Sequence, residues 1–327
     1  MTLHRRGFLG ALALAPAALA VPALITRNGQ VAAQTAGTVP PTCLRRKIGE
    51  IEVYALLDGH IAFPPTMLTG FDPAIGEPLA RAAHKPFDPA QMLVGINAYL
   101  IRTAGRVIAV DTGAPAAMGP TVAGWAGALA ATGTTPDQVD TVFLTHLHPD
   151  HVGGLTDMAT ATPGLPKAQL VASEADWAFT HDEAVYAALP KDFQGFFDLS
   201  RAMVAPYAAG KALIRPGAEI APGLTTVALP GHTPGHLGLR VDSGAESLLI
   251  WGDLLHSTAY QFARPDWAFA FDTDQAMAAA TRQATLDMVT ADGMMVAGMH
   301  LDFPGFGYVE KAGEGFHFTA APYDYRA

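Results

Sequence analysis

The chain has 327 residues, half of them apolar and 15% charged, with a formal net charge of −10. That composition supports a large buried core and excludes a disordered chain. The acidic balance, with no run of lysine or arginine longer than Arg45-Arg46-Lys47, argues against nucleic acid as a partner, and the single cysteine, Cys43, excludes an intramolecular disulfide.

Residues 1–33 differ in kind from the rest: they contain Arg5, Arg6 and Arg27, no acidic residue, and an Ala/Leu-rich apolar stretch from Gly7 to Leu24. This is the pattern of a targeting segment. His4 to Gly10, reading His-Arg-Arg-Gly-Phe-Leu-Gly, resembles a twin-arginine signal, which implies export in the folded state by the twin-arginine machinery to the periplasm or beyond. Small residues at Val31-Ala32-Ala33 point to cleavage after Ala33, with an uncleaved membrane anchor as the alternative, and losing the three arginines moves the net charge to −13. A lone cysteine suits a protein that folds in the reducing cytosol before export.

Residues 34–47 read as a Pro/Thr-rich arm, and 48–327 as one domain. Alternation predicts a strand over Ile51 to Leu57, a hairpin from Asn97–Arg102 and Arg106–Val110 turning at Ala104-Gly105, and a helix carrying Val122, Trp125 and Leu129 that closes at Gly133. Short strands follow at Thr141–Thr145 and Gln169–Ala172, with helices near Glu174–Phe179 and Phe193–Val204. Three more strands are predicted at Thr225–Leu229, His236–Val241 and Ser247–Trp251. A long helix then runs from Thr273 to Ala291, capped by Thr273, with Met277, Ala280, Ala284 and Met288 on its apolar face and a stop at Gly293. A strand at Met294–Ala297 and an aromatic, glycine-rich tail complete the chain. The alternation of elements predicts two mixed sheets faced by helices, a layered α/β fold.

The densest chemistry follows the Thr141–Thr145 strand: His146, His148, Asp150 and His151 fall within six residues. His146 and His148, two apart on extended chain, project to one side and can grip one metal. Pro149 ends the extended path, so Asp150 and His151 turn toward a second metal, and Gly153-Gly154 lets the backbone pass close beneath. Three further candidates, His232, Asp253 and His300, each stand at the C-terminal end of an apolar strand, the edge where sheet enzymes assemble their sites. Asp111, in Val110-Asp-Thr-Gly, reads as a turn residue or a partner that orients a ligand, and His236 as a residue that fixes its loop.

Taken in order, His146, His148, Asp150, His151, His232, Asp253 and His300 resemble the binuclear centre of the metallo-β-lactamase superfamily. The resemblance implies a four-layer αββα sandwich. It implies that the residues matching His146, His148 and His232 hold one divalent ion, that Asp150, His151 and His300 hold the other, and that Asp253 bridges. Zinc suits such mixed nitrogen and oxygen ligands, with iron, manganese or cobalt as alternatives. Two such ions, about 3.5–4 Å apart, leave the centre with excess positive charge that ionises a bridging water for attack on a carbonyl or phosphoryl centre; Asp253 and Asp150 are the carboxylates expected to serve that chemistry. True β-lactamases lack an aspartate at the bridging position, which sets antibiotics aside.

Within the superfamily, Val53-Tyr-Ala-Leu-Leu-Asp-Gly, Asn97-Ala-Tyr-Leu, Met118-Gly-Pro-Thr, Gly195-Phe-Phe, Gly231-His-Thr-Pro-Gly-His and His300-Leu-Asp-Phe-Pro-Gly-Phe-Gly resemble the methyl parathion hydrolase and lactonase group. That implies a homodimer acting on a lactone, an aryl ester or a phosphotriester, with an aromatic pocket over the metals. Trp177, Phe196 and Phe197 are the matching aromatics, Met118 stands where an aromatic is expected, and His256 replaces an apolar wall. The last two departures point away from aryl phosphotriesters and toward a lactone, with His256 as a proton donor to the opened ring. The competing readings are a thioesterase of the glyoxalase II kind, which calls for a basic patch absent from this acidic chain, a one-iron persulfide oxygenase, and a non-catalytic exported metal-binding protein.

Overall fold

The computed structural model describes residues 42–326, so the expected signal segment and most of the expected arm lie outside the described residues. The arm gives way earlier than expected: Cys43–Ile48 is already a strand, β1, because its residues pair with Leu56 back to Ile51 in antiparallel register. Cys43 is half-buried there as a free thiol, pushed up in pKa by burial.

The strands of the first half are β2 (Ile51–Phe63), β3 (Met92–Thr103), β4 (Arg106–Val110) and β5 (Thr141–Phe143), followed by a small ribbon of β6 (Thr156–Asp157) and β7 (Thr162–Pro163), then β8 (Gln169–Ser173) and β9 (Ala212–Ile214). One sheet runs β1-β2-β3-β4-β5-β8-β9, antiparallel through β4 and parallel beyond it. The second half supplies β10 (Glu219–Ala221), β11 (Leu224–Ala228), β12 (Leu237–Ser243), β13 (Glu246–Ile250), β14 (Met295–Ala297), β15 (Gly307–Ala312) and β16 (Gly315–Ala320). They form a second seven-stranded sheet in that order, parallel only between β13 and β14.

The inner faces of the two sheets bury Val53, Tyr99, Ile108 and Phe143 against Leu239, Val241, Ile250 and Phe306. Among the described residues the α-helices are α1 (Pro73–Ala82), α2 (Trp125–Ala131), α3 (Pro149–Val152), α4 (Glu174–Thr180), α5 (Glu183–Ala188), α6 (Lys191–Val204) and α7 (Gln275–Asp292). Trp125 and Leu129 of α2 with Met203 and Val204 of α6 cover the outer face of the first sheet, over Leu56, Leu100 and Val142. Leu286 and Val289 of α7 cover the second, over Leu249, Trp251 and Val296. Two sheets between two helical layers are the expected αββα sandwich.

Helix α7 departs from the reading of its sequence in two ways. Its N-cap is Asp274, whose carboxylate accepts from Met277 N–H, rather than Thr273. Its buried face carries Ala278, Arg282, Thr285, Leu286 and Val289, while Met277 and Met288 are exposed, so a charged residue lies on the inner face and two methionines on the outer. It stops at Gly293 in a left-handed conformation, as its sequence indicates.

A candidate binuclear metal centre at the sheet seam

Strand ends at the seam of the two sheets carry every candidate ligand. From the first sheet, β5 leads through Thr145 into His146, Leu147 and His148, and α3 turns Asp150 and His151 back toward them. From the second, His232 follows β11, Asp253 follows β13 and His300 follows β14. The close backbone passage expected at Gly153 is present: a Cβ there would sit 2.2 Å from Ala114 C.

Asp253 is the hub. Its Oδ2 is faced by Nε2 of His146 at 3.6 Å, His232 at 3.3 Å, His256 at 3.2 Å and His300 at 3.1 Å, and its Oδ1 by Nε2 of His151 at 3.2 Å. His148 Nδ1 lies 3.0 Å from His232 Nε2. Asp150 Oδ2 stands 3.7 Å from His151 Nε2 and 3.6 Å from His300 Nε2, its side chain 18% exposed. His146, His148, His232 and Asp253 therefore form one cluster of metal-ligand geometry, and Asp150, His151 and His300 another.

The outward-facing ring nitrogens are held by partners that leave Nε2 turned inward. His151 Nδ1 donates to Asp111 Oδ2 at 2.7 Å, His232 Nδ1 to Asp272 Oδ1 at 2.8 Å, and His300 Nδ1 to Gly95 O at 2.8 Å. Asp111 is thus both turn residue, with φ of 57°, and orienter; it also takes the Thr145 N–H and hydroxyl at 2.8 Å each. Asp176, fully buried, accepts from Leu147 N–H at 2.7 Å and so fixes the link between His146 and His148. His236 is no ligand: its Nδ1 donates to Leu229 O at 2.8 Å and its Nε2 accepts from Asp253 N–H at 3.0 Å. Burial holds its pKa down at about 3.

Inside this shell three inward-facing atoms approach their neighbours without hydrogen-bond geometry. His146 Nε2, His151 Nε2 and Asp253 Oδ1 are buried with no hydrogen-bond partner among the described residues. Orphaned buried donors and acceptors are costly, and here they converge as a nitrogen and oxygen set that suits a divalent cation. The electrostatics agree. Burial and neighbouring imidazoles push His146 and His148 well below the usual histidine range. Burial opposes protonation of His232 as well, but its bonds to Asp253 and Asp272 carry it up to about 9, and the aspartates raise His151 and His300 likewise. Asp253, although buried, is held far below the usual carboxylate range by His151, His300 and His146. The carboxylates thus favour protons on some of these imidazoles, and a metal ion would displace them.

Above the cluster opens a cavity of about 620 Å³. Met118, Phe196, Phe197 and His256 line it, as do His148, Asp150, His232, Asp253 and His300 at its floor. Trp177 does not: it stacks on His181, with ring centroids 4.3 Å apart, under the Lys211 ammonium, and packs toward the first sheet's helical side. Two residues on, Phe179 reaches the cavity instead. Phe63, Phe193, Phe269 and Phe271, none of them singled out from sequence, complete an aromatic wall whose neighbouring centroids are 5.5 to 6.1 Å apart. His256 is stacked at 4.1 Å on Phe269 with its Nε2 3.2 Å from Asp253 Oδ2, and burial pushes its pKa down to about 4.

Comparison with known proteins agrees with this geometry. A search of curated protein sequences returned no match. Among solved structures, hydrolase AbOPH of the β-lactamase superfamily is 28% identical with a TM-score of 0.82, over 88% of this chain and all of that one. AidC, a dizinc quorum-quenching lactonase with the product N-hexanoyl-L-homoserine bound, shares the fold at 23% identity and a TM-score of 0.80, over 86% and 98% of the two chains. A probable metal-dependent hydrolase from Staphylococcus aureus does so at 20% and 0.70, over 84% and 99%. The model of the metallo-β-lactamase superfamily matches residues 92–300, from the strand β3 to the last candidate ligand. With well over half of the sequence covered, the chain belongs to the metallo-β-lactamase superfamily.

Proposed function

We propose that this chain is a binuclear metal-dependent hydrolase of small, uncharged, ester-like substrates, with lactones and esters preferred and phosphotriesters a side activity. The observation that carries the reading is the cavity: aromatic and aliphatic walls stand directly above the ligand cluster, and no lysine or arginine is among the residues that line it. Such walls accept an apolar acyl or aryl group and offer nothing to the carboxylates of a glutathione thioester. Lactonases among the structural neighbours support the same substrate class.

His146, His148 and His232 would hold one ion, Asp150, His151 and His300 the other, with Asp253 between them. When bound, the pair supplies Lewis acidity: it ionises water near neutral pH and stabilises a developing oxyanion. The chain's own residues do the rest. Asp253 sits central among the imidazoles and fixes the reacting centre. His256, neutral and stacked on Phe269, holds Asp253 from the cavity side. Asp150, partly exposed at the cavity floor, is placed to take the proton that water releases and return it to the leaving oxygen as the single bond between the acyl carbon and that oxygen breaks. The aromatic wall excludes bulk water from that transfer.

The test is kcat/KM of the zinc-loaded protein on matched aromatic lactones, aliphatic lactones, aryl esters and aryl phosphotriesters, with Asp253→Ala as blank. Lactones or esters leading by orders of magnitude uphold the reading; phosphotriesters leading overturn the preference, and silence across the panel overturns the substrate class. Export of the folded chain and assembly as a homodimer belong to the same proposal, on residues 1–33 and the resemblance respectively, and are checked by N-terminal sequencing of the periplasmic fraction and by sedimentation.

A further inference from the structure

Arg282 is 1% exposed in the middle of α7, on the face that packs against the second sheet. Its guanidinium is spread across the irregular segment that joins β13 to α7. Nε donates to Leu254 O at 2.7 Å, Nη1 to Pro265 O at 2.8 Å and Trp267 O at 3.2 Å, and Nη2 reaches Asp272 Oδ2 at 3.5 Å. Asp272 in turn takes Phe269 N–H on Oδ2 and His232 Nδ1 on Oδ1, each at 2.8 Å. A line of contacts thus runs from the back of a helix, through one carboxylate, to a candidate metal ligand.

A buried cation is costly, and an apolar side chain of similar volume often stabilises a core as well or better. Packing alone is therefore a poor reason for an arginine here. The line itself supplies one. A histidine that ligates a metal is neutral, so it gives the buried carboxylate that orients it no counter-charge, and a cation on the other oxygen can supply one. Arg282 is in contact with that carboxylate from the side away from His232. The same guanidinium ties down three carbonyls of the segment that carries Phe269 and Phe271 into the cavity.

We propose that Arg282 is a positioning residue for the metal centre: acting through Asp272, it keeps His232 with Nδ1 protonated and Nε2 turned inward to bind a metal ion. Metal affinity at the His146/His148/His232 cluster then depends on a side chain that lies outside the cavity. This rests on reading that cluster as a metal centre.

The chemistry of Asp272 makes the inference testable. Its two oxygens face donors on both sides, and an asparagine has one acceptor end. Turned toward Arg282 and Phe269, Asn presents its NH2 to His232 Nδ1 and selects the tautomer protonated at Nε2, which cannot ligate. Turned toward His232, it leaves Arg282 without its anion.

The experiment is titration of the metal-free protein with Zn2+ against a chromophoric chelator, and with Co2+ followed by its visible spectrum, on the wild type, Arg282→Met, Asp272→Asn and the double variant. Each single variant is expected to weaken one of the two ions by about 10–100-fold and to leave the other in place. The double variant is expected to be no weaker than the weaker single, since both act along one line. Single variants that bind both ions like the wild type overturn the inference even if they unfold more easily, and so do losses that add in the double. If Arg282→Met does not fold, Arg282→Lys, which keeps the charge but cannot span the four acceptors, takes its place in the cycle. A wild type that takes up no ion at all overturns the metal reading instead.

Discussion

Replacing Gly252 by alanine adds one methyl group and should be among the most damaging small changes in the chain. Gly252 precedes the hub carboxylate and has φ of 57°, where an L side chain costs about 1–2 kcal/mol. A Cβ built there would lie 2.3 Å from His236 Nε2 and 3.1 Å from Thr145 Cβ. His236 must then withdraw, and the buried Asp253 N–H that it accepts loses its partner, a further penalty of about 1–3 kcal/mol. The total is roughly 2–5 kcal/mol, a large part of the 5–15 kcal/mol that holds a typical domain together. Urea unfolding of the metal-free protein, followed by circular dichroism, measures it directly. The same substitution in a His236→Ala background separates the two causes: with the ring gone, only the backbone cost of about 1–2 kcal/mol should remain. An equal loss in both backgrounds, or no loss in either, would refute the argument.

Withdrawing metal with a chelator should lower stability by about 2.7 kcal/mol for each ion held at a hundredfold over its dissociation constant, seen as a fall in Tm by calorimetry. Asp58 takes backbone N–H groups of Ala114, Ala123 and Trp125, yet burial lifts its pKa to about 6. An acid with a raised folded pKa contributes stability below its unfolded value, near 4, and that contribution is lost as pH rises through 6. Asp58→Asn should therefore cost less at pH 7 than at pH 4, by up to about 3 kcal/mol for a shift of about two units, and urea unfolding across that range checks the sign. Phe271→Ala should raise KM for an aromatic lactone roughly 3–10-fold with kcat little changed, since it removes edge-to-face partners of Phe63 and Phe196 at the cavity wall. Trp177→Phe, by contrast, should leave both constants unchanged, because Trp177 stands outside the cavity.

The candidate cluster could be picked out in the sequence because its residues are either adjacent or repeat one context. Four fall within a single turn after β5, and His232, Asp253 and His300 each end a strand of plain apolar pattern. What holds those ligands was mostly not legible. Asp272 and Asp176 are ordinary aspartates in the chain, and only the fold brings them to His232 and Leu147. The face of α7 was misjudged because hydrophobic pattern ranks methionine above arginine, whereas Arg282 finds four acceptors inside and Met277 and Met288 find none to replace. Phe269 and Phe271 lie in a segment without regular period, so nothing in their spacing marked them. Trp177 was assigned by position in a motif, and the helix α4 turns it toward Lys211 while turning Phe179 inward. The layered fold itself was predicted from alternating elements, and its edge strand β1 was missed because Cys43–Ile48 carries three consecutive basic residues, Arg45, Arg46 and Lys47.

The division of the ligands between the sheets also makes the cluster depend on how the two halves meet. The first sheet supplies His146, His148, Asp150 and His151, and without the second sheet those four would offer only an incomplete ligand set. With β14 beside β13, the second sheet adds His232, Asp253 and His300. If the cluster is the metal centre proposed above, tight metal capture requires both sheets in place, and separating them would loosen the metal as surely as removing a ligand.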